Sequence, residues 1–469
     1  MAEASATDRL IARAQRLLAA GARAEALEVA EELARSSLER AEWNDALGTL
    51  LTFCEAPARA LPFHERAVAL APGKGIYLYN LAATQRMSGE FAAAEANLDR
   101  LIAASPRDAH AYHMRADLRT QSAAHNHIEE MAARLAEFSR DPTGEILLCF
   151  ALAKELEDVK RDEESFAYLE RGCARQRALM RYEVNEDVAT LDRIIALHDA
   201  AALGLGAGHE GAHCLFVLGL PRSGTTLVER ILASHSAVRS TGESPAFPAQ
   251  TIQAVQGLAG HALGKREFVA RSLEVDPSAL GRAYLTAARP GAGGAARWID
   301  KQPLNYLYAG LIARALPAAR IVALAREPMD GCYAMLKTLF TGAYPFTYHL
   351  EELGHYYAAW HRLMRHWQAV LGERLLIVHY EDLVQNPEQV SRRMLAHCGL
   401  SWEPACLAFD SQPAAVTSAS AVQVRQRLYS SSIGKWRRFE RQLAPLARIL
   451  EARRPAGGWR FEPAFTSTD

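Results

Sequence analysis

The stretch Leu215–Ser234, LFVLGLPRSGTTLVERILAS, decides how the rest of the chain is read. Leu215 to Leu218 are consecutive apolar residues, the pattern of a strand buried on both faces. Gly219 and Gly224 bracket a short polar loop, and Leu227, Ile231 and Leu232 then recur at helical spacing. Strand, glycine turn and helix in this order aim successive backbone N–H groups at one spot, at the positive end of a helix. Such a spot binds phosphate or sulfate.

The spacing Gly219-x4-Gly224 is that of a Walker A loop, but Thr225 stands where that loop has its lysine. Arg222 supplies a positive charge from inside the loop instead, which argues against an ordinary ATPase or GTPase. Downstream, short apolar runs alternate with helical patterns, as in a parallel sheet. The expected strands are 214–218, 297–299, 320–325 and 374–378; the expected helices are 225–234, 304–316, 330–340, 350–371 and 387–398. Function in such a sheet sits at the carboxyl ends of the strands. There the sequence places Gly219–Thr226, Asp300-Lys301-Gln302-Pro303, Arg326-Glu327-Pro328 and His379-Tyr380-Glu381-Asp382-Leu383, with Glu243 in the turn Thr241–Pro245. Three cations (Arg222, Lys301, Arg326) and one carboxylate (Glu243) in one cleft would serve an anionic transferable group and a general base. Asp300-Lys301 reads equally as a surface ion pair, and Tyr380 as core packing.

Upstream, the texture is helical and alanine-rich. Pro72 and Pro106 are 34 residues apart, and Gly48 with Ala82, Ala60 with Ala94, and Ala67 with Leu101 keep the same register. This period and small–large pattern resemble tetratricopeptide repeats, over roughly residues 8 to 180. The piece around 123–142 is out of period. No clustered His, Cys or carboxylate pattern with catalytic spacing stands out in this half. A repeat array offers a concave surface to a peptide or protein partner, and serves equally as a homodimer surface or a rigid brace. The organisation expected is therefore an all-α tetratricopeptide-like part over 1–200, a small, Gly-rich linker over 201–213, and an α/β domain with a parallel sheet over 214–469.

At 469 residues and 49% hydrophobic, the chain has ample core for more than one domain. A net charge of −1 gives no general affinity for nucleic acid or membrane surface, so any basic site must be local. The seven cysteines are scattered without a C-x-x-C pair, which predicts a reduced compartment and no zinc site. No signal-peptide core or membrane-length apolar run is visible, and a cytoplasmic protein is the expectation.

Together, PRSGTT at 221–226, Gly242-Glu243, DKQP at 300–303, Arg326-x3-Asp330 and HYEDL at 379–383 resemble the sulfotransferase superfamily, in particular its tyrosylprotein sulfotransferase branch. The resemblance covers about 213 to 440 and implies a P-loop-like fold. The implied cofactor is 3′-phosphoadenosine 5′-phosphosulfate (PAPS, with PAP as product), used without a metal. It implies that Arg222, Ser223, Gly224, Thr225 and Thr226 bind the 5′-phosphosulfate and that Arg326 binds the 3′-phosphate. Tyr380 would line the nucleotide site and Lys435 would reach over it. Glu243 would be the catalytic base, with Lys301 and Arg222 supporting the leaving phosphosulfate and Ser420 stabilising the transition state. The family usually has a serine eight residues after the 3′-phosphate arginine; here the residue is Ala334. A hydrogen bond to a charged group is worth about 1.5–3 kcal/mol, and Lys337, one helical turn on, is the candidate to replace it.

The acceptor is a hydroxyl, most like protein tyrosine. A sugar, lipid or small-molecule hydroxyl stays open, and Tyr344, Phe346 and Tyr348 are candidates to line its pocket. Two other classes also stay open: a catalytically silent nucleotide-binding scaffold, and a metabolite kinase, against which the absent Walker lysine speaks.

Overall fold

The computed structural model describes residues 5–19, 23–36, 38–54, 56–209, 213–292, 297–409 and 432–462. These form two compact units. One holds the described residues of Met1–Met180 together with Lys337–Ala343. The other holds those of Arg181–Leu336, Tyr344–Gln412 and Arg427–Asp469.

The first unit is all-helical. Helices beginning at Ala41, Gly75 and Ala109 follow one another at 34-residue intervals, as do those beginning at Pro57 and Phe91. The alanines in register do what the period requires. Ala60, Ala67, Ala82 and Ala94 are fully buried, and leucines such as Leu47, Leu51, Leu98 and Leu101 fill the space between helices. Gly48 is needed for close approach, since a Cβ there would meet the His64 ring at 2.7 Å. After Ala109–Asp117 the period fails. An irregular turn with a bridge between Ser122 and His125 leads to the short helix Ile128–Arg134, before Pro142–Asp158 and Asp162–Ala178 restore an antiparallel pair.

The second unit is built on five parallel strands: β1 (Cys214–Gly219), β2 (Val238–Ser240), β3 (Arg297–Lys301), β4 (Arg320–Ala325) and β5 (Leu375–His379). Their spatial order is β2-β3-β1-β4-β5. The most apolar run thus becomes the central strand, with every residue buried. Val217 is paired with Lys301 on one side and Val322 on the other. Leu215, Val217, Val228, Ile231, Ile299, Val322, Val378 and Met394 make one core layer. Phe216 opens an aromatic group with Phe247 and Tyr284, at ring distances of 6.0 and 5.6 Å. The expected helix 350–371 is Leu350–Leu371, burying Trp360 and Trp367.

Four features depart from expectation. β2 is new; three residues of sequence Val-Arg-Ser at a sheet edge carry no readable alternation. The described part of the stretch expected as a linker, 201–209, is packed. Ala200–Leu203 is helical, the His209 N–H donates to the Ala315 carbonyl (2.9 Å), and a Cβ at Gly208 would lie 2.3 Å from the Arg314 carbonyl oxygen. Helix Val184–Leu197 also belongs to the second unit, where Asp187 pairs with Lys265 (2.6 Å) and Asp192 with Arg362 (2.7 Å). Finally, the helix expected over 330–340 is Pro328–Leu336, because the chain then contributes Lys337–Ala343 to the helical unit.

All seven cysteines are free. Among the described residues no helix is long and apolar enough to cross a membrane.

Candidate active site

The loop after β1 has the backbone of an anion cradle. Gly224 adopts φ 108°, and a Cβ there would sit 2.8 Å from the Tyr380 ring. Gly219 is likewise closed to side chains, with the Leu324 carbonyl 2.6 Å from its Cβ position. Arg222 also takes a left-handed conformation, φ 64°, without being glycine. Such a conformation costs on the order of 1–3 kcal/mol and persists only where surroundings enforce it. The enforcing contacts are local: the Ser223 hydroxyl donates to the Leu220 carbonyl (2.7 Å), and Arg326 Nη1 donates to the Arg222 carbonyl (3.1 Å). Helix Thr225–Ala233 then starts with no side-chain cap on its first turn, at the end where the helix dipole favours an anion. Ser223, Thr225 and Thr226 are buried beside it.

Arg326, at the end of β4, ties three segments together. Its Nη2 donates to the Ser432 carbonyl (2.8 Å), its guanidinium lies 4.8 Å from the centre of the Tyr380 ring, and the Tyr357 hydroxyl donates to its carbonyl (3.0 Å). The Tyr380 hydroxyl meets the Ser432 hydroxyl at 2.9 Å. Arg326 Nε is buried with no acceptor among the described residues. A buried donor of this kind beside an anion loop fits a phosphate oxygen. The backbone of 434–436 is brought in by Asp330, which accepts the N–H of Gly434 (2.5 Å) and of Trp436 (3.2 Å). Lys435, between them, begins a short helix at Gly434. Arg326 also borders a cavity of about 490 Å³, whose lining includes Glu327, Glu381, Glu451, Arg454 and Arg460.

On the other side of β1, β3 ends in two residues of opposite environment. Asp300 is fully buried, accepting from the Tyr284 hydroxyl (3.0 Å) and Asn305 Nδ2 (3.1 Å). Burial pushes its pKa up to about 7 against these two hydrogen bonds. The surface ion pair with Lys301 that the sequence allowed is therefore absent: neighbours on a strand face opposite ways. Lys301 is only 2% exposed, yet its Nζ lies 2.5 Å from Glu243 Oε1 and 3.4 Å from Glu229 Oε2. Burial acts to lower its pKa, but Glu229 and Glu243 outweigh this and hold the ammonium above its ordinary range. The Glu243 side chain is 46% exposed. Its turn is pinned to β3, Lys301 N–H donating to the Gly242 carbonyl (3.2 Å) and Thr241 N–H to that of Ile299 (3.0 Å).

Residues 215–404 match the Sulfotransferase family. This segment is a sulfotransferase-family domain. An uncharacterized protein of Aquifex aeolicus is 32% identical over 310 residues, covering 64% of this chain and 41% of that protein. The protein-tyrosine sulfotransferase of Drosophila melanogaster is 25% identical over 239 residues, covering 47% of this chain and 46% of its own. The chain thus spans about half the length of these curated relatives or less. Among solved structures, the sulfotransferase domain of the Synechococcus PCC 7002 olefin synthase covers 52% of this chain and 95% of its own, at 19% identity and a TM-score of 0.37.

Several expectations for the sulfotransferase domain take a different form. Lys337 does not stand in for the serine absent at Ala334: its Nζ is held by both oxygens of the buried Glu157 at 3.0 Å, inside the helical unit. Phe346 and Tyr348 are 2% exposed, and Phe346 stacks on Tyr356 at 3.6 Å, so neither is an open pocket wall. Tyr344 remains at the site, where burial first and then the charge of Glu243 raise its phenol pKa. Ser420 lies outside the described residues. Glu229 was missed; a carboxylate on a helix after a loop reads as a solvated face until β3 brings Lys301 to it.

Proposed function

We propose that the sulfotransferase domain transfers a sulfuryl group from 3′-phosphoadenosine 5′-phosphosulfate to a hydroxyl acceptor, in the first instance a protein tyrosine. The observation that carries this reading is Lys301, buried between Glu229 and Glu243 at the carboxyl end of the sheet, next to the loop of Gly219–Thr226. Protein-tyrosine sulfotransferases of Drosophila melanogaster and Danio rerio, 25% and 26% identical over part of their lengths, support the acceptor class.

The nucleotide supplies an activated sulfuryl group on a phosphate leaving group. The chain's own residues then have separable tasks. Loop N–H groups, Arg222, Ser223, Gly224, Thr225 and Thr226 hold the 5′ end, while Arg326 with Tyr380 and Lys435 holds the nucleotide and its 3′-phosphate. Glu243, half exposed, takes the acceptor proton as the acceptor oxygen bonds to sulfur and the old sulfur–oxygen bond breaks. A phenol, with pKa about 10, needs such a base. Lys301 stabilises the charge left on the departing phosphate oxygen. When Glu243 becomes neutral, Glu229 still balances the buried ammonium, which makes Glu229 a positioning residue.

Transfer of labelled sulfate from the nucleotide to tyrosine peptides and to phenolic, sugar and lipid hydroxyls tests the reading. No transfer to any acceptor, with no binding of PAP, would overturn it. Ala334, together with the engagement of two Arg326 nitrogens by carbonyls, favours one alternative, a silent nucleotide sensor; PAP binding without turnover on any acceptor would establish that instead.

A further inference from the structure

The helical unit contains a second cluster of chemical interest, at the break in its period. Sequence reasoning passed over it and expected no metal. The irregular turn His125-Asn126-His127 meets Glu95 from the earlier helix Phe91–Ala104. His125 Nε2 lies 3.6 Å and His127 Nε2 3.9 Å from Glu95 Oε1, and the donor atoms of the three residues all fall within 4.8 Å of one another. The two imidazoles are edge to face, 5.8 Å apart. We propose that Glu95, His125 and His127 form a binding site for a divalent transition-metal ion, with Zn²⁺ as the matching probe.

The histidine–glutamate distances are near those of that ion, and the two histidine donors, within 4.8 Å of each other, close around it. Zinc–nitrogen and zinc–oxygen bonds of about 2.0–2.1 Å in a tetrahedron put neighbouring ligand atoms roughly 3.3 Å apart. The two histidine–glutamate separations therefore need to shrink by only a few tenths of an ångström. Two imidazoles and a carboxylate are also the borderline donor set that favours zinc over calcium or magnesium.

The surroundings fix the donors as a metal site requires. Glu155, fully buried, accepts from the His127 N–H at 2.6 Å and from His127 Nδ1 at 2.9 Å. Placing the proton on Nδ1 turns the Nε2 lone pair towards Glu95, the carboxylate–histidine arrangement that supports a metal ligand from behind. The turn is fastened elsewhere too. Asp158 accepts the Gln121 N–H (2.9 Å), Lys154 donates to the carbonyls of Ala116 and Arg119, and Asn126 Nδ2 donates to the Ser122 carbonyl (3.0 Å). His125 is more than half exposed, so an ion reaches the site from solvent and keeps an open position for water.

One group competes. Arg119 Nη2 is 2.5 Å from Glu95 Oε1, the oxygen that both histidines face. Metal binding must displace it, and the partly exposed Arg119 side chain has water to move into. Removing this guanidinium therefore favours the metal, whereas the same change in a purely structural salt bridge would not.

The test is zinc titration of the full chain against a chelating indicator, with anomalous scattering at the zinc edge locating the ion in crystals. The expected result is one site in the wild type that is lost in the double variant His125→Ala/His127→Ala and kept in His261→Ala, an exposed histidine elsewhere. Glu155→Gln should weaken binding about 10–100-fold, and Arg119→Ala should tighten it. Circular dichroism without zinc checks that the variants are folded. Equal zinc stoichiometry and affinity in the wild type and the folded double variant, or zinc density away from Glu95, would overturn the proposal, as would absence of binding to the wild type. Nothing in this test depends on sulfuryl transfer.

Discussion

The α/β unit and the helical unit both bury charge, but by different routes. In the first, parallel strands end side by side, so Lys301, Arg326 and the loop after β1 converge because of sheet topology alone. In the second, the regular repeats from Ala41 to Ala104 bury mostly alanine and leucine, and tight ion pairs gather where the repeat is disturbed. Arg115 there bonds both Asp99 and Glu130 (2.7 and 2.5 Å), Glu155 backs His127, and Glu157 takes Lys337 from a distant segment. The carboxyl end of a parallel sheet is a site by construction. A helical array acquires one where its period fails.

This contrast can be broken or sharpened by experiment. The largest effect is expected at the carboxyl end of the sheet. Glu243→Gln should lower kcat for sulfuryl transfer by about 10²–10⁴-fold, while calorimetry shows PAP binding near the wild-type level; lost binding would give Glu243 another role. Next comes Arg326→Ala, which removes two anchors to carbonyls and the buried Nε donor. PAP affinity should fall roughly 10- to 150-fold, the equivalent of one charge-assisted hydrogen bond. In the helical unit the corresponding change should touch stability and not chemistry. Lys337→Met leaves Glu157 buried without this cation and should cost about 1–3 kcal/mol in denaturant unfolding, with PAP affinity unchanged. A large loss of affinity would return Lys337 to the nucleotide site.

The smallest effect concerns Asp300. Its pKa of about 7 exceeds the ordinary 3.8, so between those values the folded protein keeps a proton that the unfolded chain has released. Stability from this group therefore falls as pH rises from about 4 to about 7. Melting temperatures of Asp300→Asn across that window should lack this slope; an unchanged slope would mean that another group carries it.

How much of this was legible in the sequence follows the same division. Local periodicity carried the 34-residue helical spacing, the central strand and the glycine loop, because each is written in consecutive residues. Glu243 and Lys301 came from their places at the carboxyl ends of strands, with resemblance adding their roles, and their contact needed the register of β3. Glu229, Asp300 and the pairing of Lys337 with Glu157 were invisible for one reason: a charged residue looks solvated until a remote segment covers it. His125 and His127 stood in plain view, but Glu95, their third donor, lies on an earlier helix.

The grip of Asp330 on Gly434 and Trp436 bears on how the protein can be cut into working fragments. The family match stops at residue 404, before the Ser432 carbonyl that receives Arg326 and before Lys435. A piece ending there would also strip the cover from helix Leu350–Leu371, where a Cβ at Gly354 would lie 2.8 Å from Ile449, and remove Phe439, Leu443, Leu446 and Phe461 from the core. The uncovered apolar face would make such a piece prone to aggregation. An expression boundary for the sulfotransferase domain belongs beyond Phe461.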